Sequence, residues 1–124
     1  MKSFQSSSFA VIYQGYLKPN RESEYQILWN KIARYFMEHR GAIGSCLHRT
    51  SDDLWLAYSR WPSKAVRDAS WSDEATASKE LPEEIRNAIS ALKDCIDQER
   101  KISEVSMEVI DDLLLTQSVC NDIS

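Results

Sequence analysis

Two strand-like segments of this chain carry apolar side chains on both of their faces. They run from Phe9 to Leu17 and from Leu54 to Trp61. In a small antiparallel sheet one face is often in water, so strands that are apolar on both faces require cover on both sides. We expect helices of the same chain to cover one side of the sheet and a second copy of the chain to cover the other.

Helical spacing of apolar residues and capping residues predict two helices in the first part of the chain. One runs from about Arg21 to His39, after a break at residues 18–20 in which Asn20 is the expected N-cap. Gly41 suits the left-handed position that often follows a helix. A shorter helix, capped by Ser63, is expected to end at Trp71.

The remaining elements complete a recognisable order. Ile43 to Thr50 reads as a second strand that forms a hairpin with Leu54 to Trp61, and Ser103 to about Leu115 reads as the last strand. A helical stripe spans Leu81 to Ile96, with Pro82 suited to the first helical position. With right-handed crossovers, this order predicts an α+β fold, a ferredoxin-like βαββαβ sandwich with an extra helix before the last strand.

The 124 residues fit a single domain, 1–124, by the usual size of domains. Its ends, 1–8 and 116–124, are polar and are expected to be loose tails. The segment 72–80 is small, polar and charged, so we expect it to be a surface connection.

Charge and cysteine content limit the partners. A formal net charge of −4 argues against nucleic acid or an anionic membrane surface as the main partner, and the sequence has no apolar run long enough to span a membrane. The three cysteines are odd in number and widely spaced, which is typical of reduced thiols and favours a cytoplasmic location.

Four segments within residues 9–71 carry a family likeness: FAVIYQGYLKP, ESEYQILWNKIARYFMEHRGAIGS, CLHRT and LWLAYSRWPSKAVRDASW. In these the chain resembles the antibiotic biosynthesis monooxygenase family of dimeric α/β-barrel proteins. The resemblance implies a protomer that pairs sheet to sheet as a homodimer, with a pocket between the sheet and the helices. Members of the family include cofactor-independent oxygenases that act on electron-rich aromatic substrates, haem-degrading enzymes and many proteins of unknown activity.

Haem degradation is disfavoured by the residues at the positions that matter. Haem-degrading members have an Asn on the first strand, a Trp at the end of the third, and an iron-ligating His about ten positions later. Trp61 matches the Trp, but Trp71 stands where the His is expected, and the first strand offers Gln14. An indole N–H only donates and cannot ligate iron. His48 in another pose is the remaining route to haem.

Six residues are the candidates for a functional site. Trp61 and Trp71 bracket the short helix and would wall an aromatic pocket, although packing in the core is the competing interpretation for both. The others are His48 as general base, Tyr58 as hydrogen-bond donor, and Tyr13 and Arg60 as substrate-binding residues. The competing interpretations are that His48 is a half-exposed strand residue and that Tyr58 and Tyr13 are buried with their hydroxyls bonded to backbone or water. For Arg60 the competing interpretation is an ion pair or a solvated position at the rim.

Metal ligands are not predicted, because the two histidines and three cysteines include no short-spaced pair. The resemblance therefore favours a cofactor-independent monooxygenase, with no bound cofactor, that acts on a small aromatic or quinol-like substrate. The alternative is a non-catalytic homodimeric module that binds a small apolar ligand or only assembles. A different reaction on the same fold, such as isomerisation, also stays open.

Overall fold

The computed structural model describes residues 8–71 and 81–114, except for the side chain of Trp71. The strands are β1 (Phe9–Gly15), β2 (Gly44–Arg49), β3 (Trp55–Trp61) and β4 (Val105–Glu108). The helices are α1 (Glu22–His39), α2 (Lys64–Trp71) and α3 (Glu83–Asp94), followed by a 3₁₀ turn, Gln98–Arg100. The connection predicted at 72–80 lies outside the described residues, and so do the predicted tails apart from residue 8.

The four strands form one sheet in the order β2-β3-β1-β4, and every neighbouring pair is antiparallel. This strand order, with helices after the first and third strands, is that of the ferredoxin-like sandwich. The predicted α+β class, the order of the elements and the extra helix before the last strand are therefore confirmed. No helix within the described ranges is long and apolar enough to cross a membrane.

The sheet has a covered face, on which the helices pack, and an open face. The covered face carries the main core: Phe9, Val11 and Trp61 from the strands pack with Ile32 and Phe36 of α1 and with Leu81, Ile85 and Ala88 at α3. A second group on the same side joins Tyr25, Trp55 and Cys95. Side chains alternate along each strand, and directly opposed residues share a face. The open face thus carries Ala10, Ile12, Gln14, Cys46, His48, Leu56, Tyr58, Arg60, Val105 and Met107.

The end of α1 is as predicted, whereas its start is not. Gly41 has a φ of 84° directly after the C-cap residue Arg40. The prediction that Asn20 caps the helix is wrong, because Asn20 itself has a φ of 65° and the N-cap is Arg21. Arg21 makes no side-chain cap and instead donates to Glu24 Oε1 at 3.0 Å.

The outer strand is shorter than predicted. β4 covers only Val105–Glu108 rather than Ser103 to Leu115, because its partner strand begins at Phe9, which pairs with Glu108. Past this point the chain leaves the ladder, and Asp112 reaches the open face instead.

Two other boundaries also shift. β1 ends at Gly15 rather than Leu17, and Leu17 forms an isolated bridge with Ile96. Pro82 is the N-cap of α3 rather than its first residue, and α3 ends at Asp94 instead of continuing to Ile96.

Candidate functional site

A polar cluster lies on the covered face, where α2 meets the sheet. Arg67 of α2 donates through Nη2 to the hydroxyl of Tyr13 on β1 at 3.5 Å and to the carboxylate of Glu104, which precedes β4. Its Nη1 contacts Asp68 Oδ1 at 3.4 Å. We call Tyr13, Arg67 and Glu104 the covered-face cluster. It joins three elements that are distant in sequence.

Local structure explains how Arg67 reaches the sheet. Ser63 caps α2 as predicted, since its Oγ accepts from the backbone N–H of Val66 at 3.2 Å. Val66 packs against the main core, and this fixes the face that α2 turns to the sheet. On the outer side of the helix, Lys64 Nζ pairs with Asp68 Oδ2 at 2.7 Å. Arg67 is left at the boundary between core and surface, with its side chain 15% exposed.

The charges in the cluster are held by their neighbours. Burial alone would lower the pKa of Arg67, but its hydrogen bonds to Tyr13 and Glu104 outweigh burial and raise that pKa. The guanidinium therefore stays charged. Burial raises the pKa of Tyr13 and prevails over the opposing effect of Arg67. Tyr13 thus remains a neutral phenol at neutral pH and keeps its proton for donation.

Trp61 closes the core at the end of β3. It is 2% exposed and packs edge-to-face against Phe36, with ring centroids 6.1 Å apart. Trp61 therefore packs in the main core. Its indole Nε1, however, has no hydrogen-bond partner among the described residues. A buried N–H without a partner is destabilising, so packing alone does not account for a tryptophan here.

All three buried, unpartnered side-chain atoms in the described part of the chain are nitrogens that donate: Arg60 Nε, Trp61 Nε1 and Arg67 Nε. Two of them, those of Trp61 and Arg67, belong to residues that pack on the covered side. The Tyr13 hydroxyl accepts from Arg67, so its own proton is directed elsewhere. The covered side therefore offers three hydrogen-bond donors to a group that can accept.

The sheet separates the predicted site residues into two groups. Tyr13 and Trp61 lie on the covered face. His48, Tyr58 and Arg60 lie on the open face, as the pairing of Cys46 with Tyr58 in the hairpin requires. His48 and Tyr58 therefore share a face of the sheet. The predicted arrangement places His48 and Tyr58 in one pocket walled by Trp61. It is not assembled, because the sheet separates Trp61 from His48 and Tyr58. The side chain of Trp71 lies outside the described residues.

Arg60 is occupied by a partner from its own chain. Its Nη2 lies 2.6 Å from Asp112 Oδ2, and the two side chains are only 8% and 14% exposed. The hydrogen bond that Arg60 donates to Asp112 is the largest influence on the pKa of Arg60 and raises it. Arg60 therefore forms an ion pair, as its competing interpretation states. The pair is more buried than a typical surface salt bridge. The pair fixes the segment 109–114 over the corner of the open face.

Sequence reasoning missed Arg67 and Glu104. The signal for Glu104 was present, because it alternates with Val105 and therefore shares a face with Ser106 and Glu108. Only the register, which sets Val105 opposite Ile12 on the open face, shows that this is the face of Tyr13. No group of three or more His, Cys, Asp or Glu side chains within residues 8–71 and 81–114 is arranged to hold a metal ion.

The fold is shared with several solved structures. A conserved protein from Methanosarcina mazei Go1 is 14% identical, with a TM-score of 0.65 over 86% of this chain and 98% of its own. A candidate antibiotic biosynthesis monooxygenase from Chloroflexus aurantiacus J-10-fl is 15% identical, with a TM-score of 0.65 over 86% and 96%. SnoaB, a cofactor-independent oxygenase from Streptomyces nogalater, is 11% identical, with a TM-score of 0.64 over 86% and 97%.

These similarities confirm the predicted resemblance to antibiotic biosynthesis monooxygenases at the level of the fold. A scan against protein-family models gave no match, and a search of curated proteins gave none either.

Proposed function

We propose that this chain is a cofactor-independent monooxygenase that binds a small aromatic, quinol-like substrate on the covered side of its sheet. The observation that carries the proposal is the buried Nε1 of Trp61, a donor without a partner at the end of β3. The similarity in fold to SnoaB supports the reaction class. The covered-face cluster supplies the other donors.

The reaction requires only a few groups from the protein. A quinol-like substrate that has lost a proton to water is electron-rich enough to pass one electron to O₂. The substrate radical and superoxide combine at a carbon that carries hydrogen, and the resulting peroxide anion takes up a proton to become a hydroperoxide. Loss of water then leaves one oxygen atom in the product as a carbonyl and releases the other as water. The protein contributes donors that stabilise the deprotonated oxygen and an apolar surround that excludes bulk water. His48 is not the base in this proposal, because it lies on the open face.

Oxygen uptake tests the proposal directly. Anthrone or a small quinol is expected to raise oxygen consumption by the purified chain above the rate in buffer, and Tyr13→Phe is expected to lower kcat/KM about tenfold because one donor is lost. Tyr35→Phe is the matched control, since Tyr35 packs beside Phe36 and outside the covered-face cluster. Consumption no faster than in buffer across a panel of such substrates would contradict the proposal.

The competing function is a non-catalytic module that binds a small ligand or only assembles. The close packing of Trp61 against Phe36 favours this non-catalytic function, because a filled core has no space for a substrate. The two functions differ in what the Trp61 N–H does. An oxygenase uses it on a substrate oxygen, whereas an assembly module leaves it unpaired.

We further propose that the chain forms a homodimer through the open face, in the cytoplasm. The open face is the side of the sheet that the described helices leave uncovered. Ile12 and Tyr58 are side by side on its central strands, and Val105 and Met107 extend the apolar surface onto β4. None of the described helices packs there.

Ile12→Asp is expected to convert the dimer to a monomer, since it places a charge at the centre of an apolar interface. Ile27→Asp is the matched control, because Ile27 is 69% exposed on α1 and lies away from the open face. Light scattering at micromolar concentration measures the mass of each. A wild-type mass equal to that of one chain, or dissociation of both variants alike, would contradict the proposed interface.

A further inference from the structure

We propose that the open face carries a pH-sensitive switch. When His48 is protonated, two copies of the chain associate less tightly through this face, so the homodimer dissociates as the solution becomes mildly acidic. This inference rests on the proposed homodimer, because it concerns the surface that the second copy would cover. It goes further by assigning the condition under which association is lost and the residue that senses it.

His48 lies on the open face of the outer strand β2. It stands directly opposite Leu56 of β3, and Cys46, two positions earlier, stands opposite Tyr58. Opposed residues on one face of a sheet have Cβ atoms about 5 Å apart. The imidazole of His48 is exposed in the single chain, so it can take up a proton there. Imidazole side chains ordinarily gain their charge near pH 6.5.

The size of the open face brings His48 into an interface formed there. The sheet has four strands of at most seven residues. Strands about 4.8 Å apart with a rise of about 3.3 Å per residue make this face about 19 Å by 23 Å, or about 440 Å² of flat area. A specific interface buries about 800 Å² on each partner. Cover by a second copy is therefore not confined to the central strands β1 and β3, and it extends onto β2.

The charges of the open face determine what protonation does. Arg60 is one cation, and the carboxylate that contacts it, Asp112, is taken up by that buried pair. Arg100 is a second cation, with its Cζ 3.6 Å from the centre of the Tyr16 ring just beyond the end of β1. In the described part of the chain, no carboxylate forms an ion pair with His48. A proton on His48 thus adds positive charge to a face that already has it.

The acidic residues near this face lie off its strands. Asp52 and Asp53 are exposed in the turn between β2 and β3, and Asp111 is exposed on the segment 109–114. The strand residues of the open face include no Asp or Glu. A two-fold interface pairs one surface with itself, so the strands of a second copy bring further cations and no carboxylate. The other titratable side chains there are a thiol and a phenol, which lose their protons only above about pH 8.

The direction and size of the effect follow from linkage. Burying an unpaired charge costs free energy, so the imidazole is neutral in the dimer. At pH 7.5 about nine in ten free imidazoles are already neutral, and association requires little change. At pH 5.5 about nine in ten are charged, and each copy must lose a proton to associate. Each of the two copies contributes about tenfold, so the Kd of the dimer is expected to rise about a hundredfold from pH 7.5 to pH 5.5.

The chain has two histidines, and they provide the test and its control. Sedimentation velocity over a dilution series at constant ionic strength measures the Kd at pH 5.5, 6.5 and 7.5, and circular dichroism reports that the chain is folded at each. The hundredfold rise is expected in the wild type, whereas His48→Gln should hold the Kd within about threefold. His39→Gln is the matched control and should keep the full rise, because His39 is the last residue of α1, beside Glu38 and on the other side of the sheet.

Each other outcome counts against the switch. A wild-type Kd that is equal at pH 7.5 and 5.5 would overturn it and leave the homodimer intact, and so would a rise that persists in His48→Gln. If His48→Gln and His48→Leu are both monomeric at pH 7.5, the imidazole contributes contacts rather than a charge, and the inference fails. A wild type that is monomeric at every pH contradicts the homodimer itself, and the switch with it. Oxygen consumption plays no part in these measurements.

Discussion

Replacing Asp112 with alanine is expected to lower the free energy of unfolding by about 3 kcal/mol, because it leaves the buried guanidinium of Arg60 without its counter-ion. The two side chains are 2.6 Å apart and almost fully covered. Taking a charge out of water is costly, and Asp112 offsets that cost for Arg60. The Nε of Arg60 already has no partner, so the variant would leave a buried cation still less satisfied. Urea unfolding followed by circular dichroism measures the change.

Two controls separate the ion pair from a general effect of shortening a side chain. Asp111→Ala alters the neighbouring exposed residue and should change stability by less than about 0.5 kcal/mol. The double variant Arg60→Met with Asp112→Leu should recover most of the loss, since replacing a whole buried pair by apolar groups is often neutral. A loss in Asp112→Ala no greater than in Asp111→Ala would contradict a stabilising pair.

The position of Asp112 near the end of the described chain adds a second outcome to the same experiment. The carboxylate also accepts from the backbone N–H of Leu114 at 2.8 Å, so it holds the segment 109–114 as well as Arg60. Ile110, Leu113 and Leu114 are strongly exposed on that segment. If Asp112→Ala releases the segment, hydrogen exchange should rise there first, and a smaller loss of global stability should accompany it.

Hydrophobic periodicity was sufficient to predict the elements of this fold. The helical stripe that contains Tyr25, Ile32 and Phe36 is the buried face of α1, and the two-sided strands β1 and β3 are the central pair of the sheet. Both predictions depend only on local spacing, because an apolar residue at the wrong angle would be left in water.

Contacts that depend on strand register could not be predicted from the sequence. The face shared by His48 and Tyr58 follows from the pairing of Cys46 with Tyr58, and no local pattern sets that pairing uniquely. The partner of Arg60 lies 52 positions away in a segment that was read as strand. The sequence around Arg67 does not distinguish it from other charged residues on a short helix, and only the docking of α2 brings it to Tyr13 and out of water.

Trp61 has both a packing role and a proposed role in ligand binding. Its substitution should therefore change both the stability of the fold and the affinity for a ligand. Trp61→Ala is expected to cost about 3–5 kcal/mol of stability, because it empties a site that is 2% exposed at the centre of the main core. Trp61→Phe should cost far less, since most of the ring volume stays and an unpaired N–H is removed. Chemical denaturation of the two variants measures the difference.

The same Trp61→Phe variant distinguishes a pocket wall from a plug. If the indole N–H binds a ligand oxygen, affinity for 4-nitrophenolate should fall about tenfold, the size of one charge-assisted hydrogen bond. Trp55→Phe is the matched control: Trp55 is also buried on the covered face, but it packs against Tyr25 in the second group, and its Nε1 is not among the unpartnered atoms. It should cost comparable stability and leave phenolate binding unchanged. Equal phenolate affinity in both variants would make Trp61 a packing residue only, and it would favour the non-catalytic module over the oxygenase.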